Sequence, residues 1–147
     1  MIRRWLARAR RDEGAALIEA ALTLPLMLLI CIGILEFGRA YQAWQVVTNA
    51  SREGARVAVL PGVSDEAVTA RVQAYLQAGA LDKAAAATVV IANTTVAIGG
   101  TNASASSVRV NYPFEFMVLQ PIAQLVVKDS TAGEAFTMSA ATVMRNE

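Results

Sequence analysis

The sequence has no histidine and only one cysteine, and each scarcity excludes a class of function. Without histidine there is no Ser-His-Asp triad, no His-ligated metal site and no imidazole general base. The lone cysteine, Cys31, forms neither an internal disulfide nor a Cys-based metal site, and it lies in an apolar run where a small apolar residue is ordinary.

Two further catalytic motifs are missing. The pair Gly99-Gly100 lacks the lysine and the following helix of a phosphate-binding loop, so it indicates a turn. The carboxylates of Glu115, Asp129 and Glu134 are spaced like solvated surface charges rather than like a paired acid and base. We therefore expect a protein that is not an enzyme and that uses no metal or cofactor.

The chain does contain one long apolar run, at residues 15–35, with the sequence AALIEAALTLPLMLLICIGIL. At about 1.5 Å per residue, this length crosses the hydrocarbon core of a bilayer. Glu19 is the only charged side chain in the run. A carboxylate inside a spanning helix costs about 2–4 kcal/mol, so it indicates a function and a partner. Pro25, in the same run, removes one helical hydrogen bond and predicts a kink.

Charge is distributed unevenly around this run. Residues 1–14 form a leader with five arginines, against Asp12 and Glu13, and only Arg39 lies close after the run. The positive-inside rule then predicts a single-pass membrane protein with a cytoplasmic N-terminus and an extracytoplasmic C-terminal domain. A removable secretory signal is the rival interpretation, but Gly38 and Ala40 supply only a weak cleavage site for it.

The net charge of the whole chain is +1. The leader holds five of the 13 basic and two of the 12 acidic residues, so the rest of the chain carries a net charge of −2. This mildly acidic balance argues against nucleic acid as a partner.

Helical spacing continues beyond the membrane run, through residues 36–60, until Pro61-Gly62 breaks it. We expect one helix over 15–60, about 70 Å long. Tyr41 and Trp44 are expected at the membrane interface, against the downstream domain, or in contact with both. The residues with i, i+3/i+4 spacing in this extension are Phe37, Tyr41, Trp44, Thr48, Ser51, Ala55 and Ala58.

The pattern over residues 61–147 predicts a small α+β domain with a sheet of three to four antiparallel strands. Ser64 caps a second helix that ends near Gly79, with an apolar face of Val68, Val72, Tyr75 and Leu76.

The strands are expected where apolar and β-branched residues alternate, at 88–98, 108–116 and 136–144. Pro113 suits an edge strand or a bulge. Residues 82–87 are loop or frayed helix, and 121–127 are either a helical turn or a short strand.

The stretch EGAALIEAALTLPLMLLICIGILEFGRAY, followed by TNASREGARVA, resembles the TadE-like family of minor pilins, which belong to tight-adherence (Flp-type) pilus systems of bacteria. Members of that family have a glycine before a small-residue start, an early glutamate, a Leu-Pro step and two charged motifs. The matching positions here are Gly14, Glu19, Leu24-Pro25, the Gly-x-x-Glu-Phe-Gly-Arg segment at 33–39 and the Arg-Glu-Gly-Ala-Arg segment at 52–56.

The resemblance implies cleavage by a prepilin peptidase between Gly14 and Ala15, and assembly with other pilins and pilus assembly proteins. Cleavage would create an α-amino group on Ala15, four residues from Glu19 on the same helix face. That amine is the cation that a carboxylate in the membrane needs, within one subunit or between two. Glycine suits a scissile position because it leaves the backbone accessible.

Two alternatives remain open at this point. Processed members usually have an aromatic residue after the glutamate, whereas position 20 is Ala, so the chain could be an unprocessed membrane-anchored scaffold of the same machinery. The other alternative is a membrane-tethered binding module unrelated to pili. The charged pairs Glu36/Arg39 and Arg52/Glu53/Arg56 are interpreted as solvated helix faces.

Overall fold

The computed structural model describes residues 2–128 and 130–146, with side chains at positions 14–125, 127–128 and 130–146. The leader side chains and Asp129, which entered the sequence predictions, lie outside this description. The elements form an α+β chain, as predicted: a long N-terminal helix, a second helix, a short third helix and a three-stranded antiparallel sheet.

The first helix, α1, spans Ile2–Ala58 and is 57 residues long, or about 85 Å. It includes the leader, the apolar run and the extension, and it continues through Pro25. Its residues from Gly14 onward are long and apolar enough to cross a membrane, and the most apolar stretch is not buried against the rest of the chain. The predicted single helix through the run and its extension is confirmed.

The second helix, α2, spans Asp65–Ala78 and packs along the outer half of α1. Its start is the predicted one, because Ser64 accepts a hydrogen bond from the N–H of Ala67. Its end is also the predicted one, at Gly79. The buried residues of α2 are Val68, Val72 and Leu76, three of the four predicted.

Three strands form one sheet in the order β1–β2–β3: β1 spans Thr88–Ile98, β2 spans Thr101–Phe114 and β3 spans Phe136–Arg145. β1 and β2 form a hairpin through Gly99-Gly100, whose φ angles of 56° and 86° favour glycine. The inner face of β2 covers α1 and buries Val108, Val110, Tyr112 and Phe114, which alternate as the sequence predicted.

Pro113 lies in the central strand, and not on an edge strand or at a bulge as predicted. The pairing of β2 with β1 ends at Asn111, so at Pro113 only β3 is alongside, through Thr137. One side of the backbone is therefore unpaired there, which is the local condition that a proline in a sheet requires.

The two ambiguous segments are both helical in part. Residues 121–127 belong largely to a third helix, α3, which spans Leu119–Val126. Residues 82–87 contain a single 3-10 turn at Ala84–Ala86.

The buried face of α1 includes Ser51 and Ala55 of the predicted stripe but departs from that stripe nearer the apolar run, where its aromatic residues are exposed. The helix packs on the domain through small residues, Ala43, Val47, Ala50 and Ala55, while Phe37, Tyr41 and Trp44 are exposed. Small side chains let the helix approach the sheet and α2 closely, and large rings would hold them apart. Tyr41 is 66% exposed and Trp44 is 44% exposed, so neither ring is part of the buried core.

Candidate functional site: the membrane helix and the base of the domain

The predicted processing residues lie on one continuous helix. Gly14, Ala15 and Glu19 all belong to α1, and Ala15 and Glu19 are one turn apart on the same face, about 6 Å along the axis. A Cβ built at Gly14 meets no other atom within 4 Å, and its backbone has no positive φ. Neither packing nor conformation of the single chain therefore requires glycine at position 14.

Glu19 is exposed on the outside of α1. Its backbone carbonyl accepts a 2.9 Å hydrogen bond from the Thr23 hydroxyl, and none of the described side chains forms an ion pair with its carboxylate. The flanking Leu17, Ile18 and Leu22 are exposed as well. In the single chain, the Glu19 carboxylate lies within an exposed apolar surface, which must be covered by lipid or by another protein.

Pro25 lies about two turns beyond Glu19 and has no N–H. The carbonyl of Ala21 therefore loses its usual helical partner. The helix nevertheless continues on both sides of Pro25. The kink expected at Pro25 stays a prediction.

Glu36, the first residue after the apolar run, has only 3% of its surface exposed. Its Oε2 lies 2.9 Å from Nη1 of Arg39, and its Oε1 accepts a 2.8 Å hydrogen bond from the backbone N–H of Val118. The Glu36–Arg39 pair follows from i, i+3 spacing, but the interpretation as a solvated face is wrong for Glu36. No sequence signal indicates Val118, because that contact exists only in the folded domain.

We call the contacts of Glu36 with Arg39 and Val118 the Glu36 joint. Arg39 also contacts the domain directly. Its guanidinium lies 5.6 Å from the centre of the Phe114 ring, and its Nη2 lies 3.9 Å from a carboxylate oxygen of Asp82. A cleft of about 130 Å³ lies beside this contact, and Arg39, Asp82 and Tyr112 are among the residues that line it. The described residues contain no group of three or more His, Cys, Asp or Glu side chains that could hold a metal ion.

Four phenylalanines pack together beside this joint. Phe37 of α1 meets Phe116 edge-on at 5.9 Å between ring centres, and Phe114 meets Phe116 at 5.3 Å. Phe136 completes the cluster, 5.6 Å from Phe114 and 5.9 Å from Phe116. Pairs of this geometry contribute about 0.5–1.5 kcal/mol beyond their buried area. We call this end of the domain, where the chain meets the apolar run, the base.

The Arg-Glu-Gly-Ala-Arg motif at 52–56 joins α1 to α2. Oε1 of Glu53 accepts hydrogen bonds from Nε and Nη2 of Arg71, at 3.2 and 2.8 Å, and Oε2 lies 3.3 Å from Nη1 of Arg56. The interpretation as a solvated helix face is therefore wrong for Glu53, which ties two helices together. The hydrogen bonds from Arg71 lower the pKa of Glu53, with help from the positive charges of Arg56 and Arg71, while partial burial opposes the shift.

Gly54, in the middle of the same motif, is buried in the contact with α2. A Cβ built there would lie 2.6 Å from Cγ2 of Val72 and 3.1 Å from Cγ1 of Val108. Glycine at this position therefore allows α1 to approach both α2 and the sheet. The Arg-Glu-Gly-Ala-Arg motif is therefore a site of close packing between α1, α2 and the sheet.

The family model described as TadE-like protein matches residues 14–56. The match begins at Gly14 and ends at Arg56, so it covers the apolar run, the Glu36 joint and the Arg-Glu-Gly-Ala-Arg motif. No curated protein and no solved structure matches the chain significantly. The resemblance predicted from the sequence is confirmed over this segment. Residues 14–56 are therefore a TadE-like segment, which points to a Tad pilus-associated protein held by a single-pass membrane anchor.

Proposed function

We propose that the chain is a non-enzymatic minor pilin of a tight-adherence (Flp-type) secretion system that helps pilus assembly after processing by a prepilin peptidase. The single observation that carries the proposal is the TadE-like match starting at Gly14, immediately before an apolar helix with one carboxylate. Its partners are the membrane, the peptidase and other pilins and pilus assembly proteins, and not nucleic acid.

The proposed cleavage lies between Gly14 and Ala15, at the cytoplasmic face of the inner membrane. The arginines of the leader hold residues 1–14 on that side, and the domain faces the periplasm. Support comes from Gly14 itself, because its missing side chain serves no packing or conformational purpose in the chain. A peptidase that must approach the backbone closely gives the glycine a purpose.

Glu19 has the proposed role of an assembly carboxylate. After cleavage, the α-amino group of Ala15 would lie one helical turn away, on the same face. Two charges of opposite sign in an apolar environment are far more stable together than apart. The amine of the same subunit or of a neighbouring subunit therefore becomes the partner of Glu19, and the exposed apolar face of α1 packs in the assembly.

The second candidate is an unprocessed scaffold of the same machinery, anchored by the intact helix. Ala20 favours it, because processed relatives usually have an aromatic residue at that position. A membrane-tethered binding module unrelated to pili is the third candidate, and nothing in the match over 14–56 favours it.

The test of the proposal is complementation of the deleted gene in its own bacterium with Glu19→Ala. We expect normal or better membrane insertion, since removing a carboxylate from the bilayer favours insertion by about 2–3 kcal/mol on insertion scales. We also expect a clear loss of surface pili, counted by electron microscopy. Glu19→Gln separates charge from shape, and Thr23→Val is the control for a polar side chain nearby. Normal piliation with Glu19→Ala would show that the carboxylate has no assembly role.

A further inference from the structure

We propose that the base of the domain makes a second contact with lipid, in which α3 and the residues around it lie in the outer headgroup region of the bilayer. This inference rests on the proposed membrane span of α1. The inference goes beyond that span, because it assigns a membrane-binding surface to a part of the chain some 80 residues after the apolar run. The surface consists of Met117, Val118, Pro121, Leu125, Val127 and Phe136.

The depth of this surface is fixed by the joint at Glu36. With residues 15–35 filling the hydrocarbon core, Glu36 lies at its outer boundary. The 2.8 Å bond from the Val118 N–H to Glu36 then holds the start of α3 at the same level. The contact between Phe37 and Phe116 fixes the preceding residues there too. The base therefore adjoins the lipid without any further movement of the domain.

The side of α3 that faces away from the protein is mainly apolar, with Gln124 as an exposed polar residue within it. Val118, Pro121 and Leu125 are spaced i, i+3 and i+7, so they share one face, and all three are exposed. Leu125 has 85% of its surface exposed and Met117 has 67%. Large apolar side chains this exposed and this close together mark a contact surface.

Amphipathic residues around this face suit the interface region. Tyr41 on α1 lies two turns above the run and is exposed, and its hydroxyl accepts a hydrogen bond from Gln45. Aromatic residues concentrate at this depth of membrane proteins. Lys128, two residues after the end of α3, is exposed and has the positive charge that lipid phosphates attract. Because the bond between Val118 and Glu36 holds this apolar face at the level where α1 leaves the bilayer, lipid is its occupant, and a second protein is the alternative outcome of the test.

The test uses the full chain reconstituted in vesicles of phosphatidylethanolamine and phosphatidylglycerol, with one labelled cysteine at a time. Native Cys31 reports on the membrane helix. In a Cys31→Ala background, Leu125→Cys reports on the base, and Ile98→Cys, next to the distal hairpin turn, is the matched exposed apolar control. A fluorescent label at each position is quenched either by acyl-brominated lipid or by aqueous iodide. Because Leu125 is so exposed, its replacement leaves the fold intact, and circular dichroism checks this.

We expect brominated lipid to quench the labels at positions 31 and 125 several-fold more than the label at 98, and iodide to show the reverse order. A label at 125 that iodide quenches freely, while the one at 31 is quenched by lipid, overturns the inference and leaves the membrane anchor standing. Protection from iodide without lipid quenching identifies a protein contact and also overturns it. Absence of lipid quenching at position 31 overturns the anchor itself.

Discussion

The backbone N–H of Val118 donates a 2.8 Å hydrogen bond to Oε1 of Glu36, a residue 82 positions earlier in the chain. The other carboxylate oxygen of Glu36 binds Arg39. Since Glu36 directly follows the apolar run, these bonds tie the domain to the point where its anchoring helix leaves the run. A rigid link of this kind fixes the domain relative to the helix, so forces on one are transmitted to the other.

Glu36→Ala removes this link, and we expect it to destabilise the domain by about 1–3 kcal/mol, because the Val118 N–H loses its acceptor and Arg39 loses the nearer of its two carboxylate partners. The check is hydrogen exchange in detergent, where amides of residues 116–126 should exchange faster while those of β1 change little. The control is Glu134→Ala, at an exposed position, which should leave exchange unchanged. Equal exchange in Glu36→Ala and wild type would contradict the role of the joint.

Gly54→Ala tests the packing of the Arg-Glu-Gly-Ala-Arg motif. Alanine is the better helix former by about 1 kcal/mol, but its Cβ would meet Val72 at 2.6 Å. We expect overpacking to dominate and the melting temperature to fall, with a net loss of about 1–2 kcal/mol. The matched control is Gly38→Ala on the same helix, where a Cβ meets nothing within 4 Å and the change should be neutral or stabilising. If both variants melt alike, α1 and α2 are not in close contact at Gly54.

Acid should weaken the link between α1 and α2. The pKa of Glu53 is lower in the folded chain than its usual value near 4.5, mainly through hydrogen bonds from Arg71. The stabilisation is therefore complete above about pH 4.5 and is lost as the pH falls below it, when the carboxylate takes up a proton. Because Arg56 and Arg71 are both well exposed, the whole effect is about 0.5–1 kcal/mol.

Glu53→Gln should reproduce this loss at pH 7 and flatten the dependence of stability on pH between 3 and 5. Thermal melts of the variant and the wild type across that range are the measurement. An unchanged pH dependence in Glu53→Gln would assign the acid sensitivity to other groups, such as Glu66. The pKa of Glu66 is also lowered, by its own backbone N–H and by the Ser64 hydroxyl.

Much of this fold can be predicted from patterns of neighbouring residues in the sequence. The apolar run, the Ser64 cap and the alternation along β2 each depend on neighbouring residues, so periodicity and capping chemistry predicted them. The buried stripe of α1 is harder to predict. Spacing indicates that the helix has a buried face, but not whether alanines or aromatic rings lie against the sheet. The Glu36–Val118 bond and the central position of β2 depend on contacts between distant segments, which a single sequence does not encode in its spacing.

The candidate site likewise has a part that the sequence predicts and a part that it does not. Gly14, Glu19 and the charged motifs follow one helix, so their spacing is visible in the sequence, while the cleavage and assembly roles of Gly14 and Glu19 stay predictions. The part of Glu53 in joining two helices was missed, because its partner Arg71 lies on another element. The roles of Glu36 and Glu53 depend on partners that lie far away in the sequence, Val118 and Arg71.

The most direct test of the account is the N-terminus of the protein purified from its own cells. Intact-mass measurement and N-terminal sequencing should give a mature chain of residues 15–147 that begins with AALIE. Gly14→Val should keep the leader while still inserting in the membrane, because a β-branched side chain crowds the scissile bond. An intact leader in wild-type cells that process their major pilin would contradict the account and identify the protein as the unprocessed scaffold.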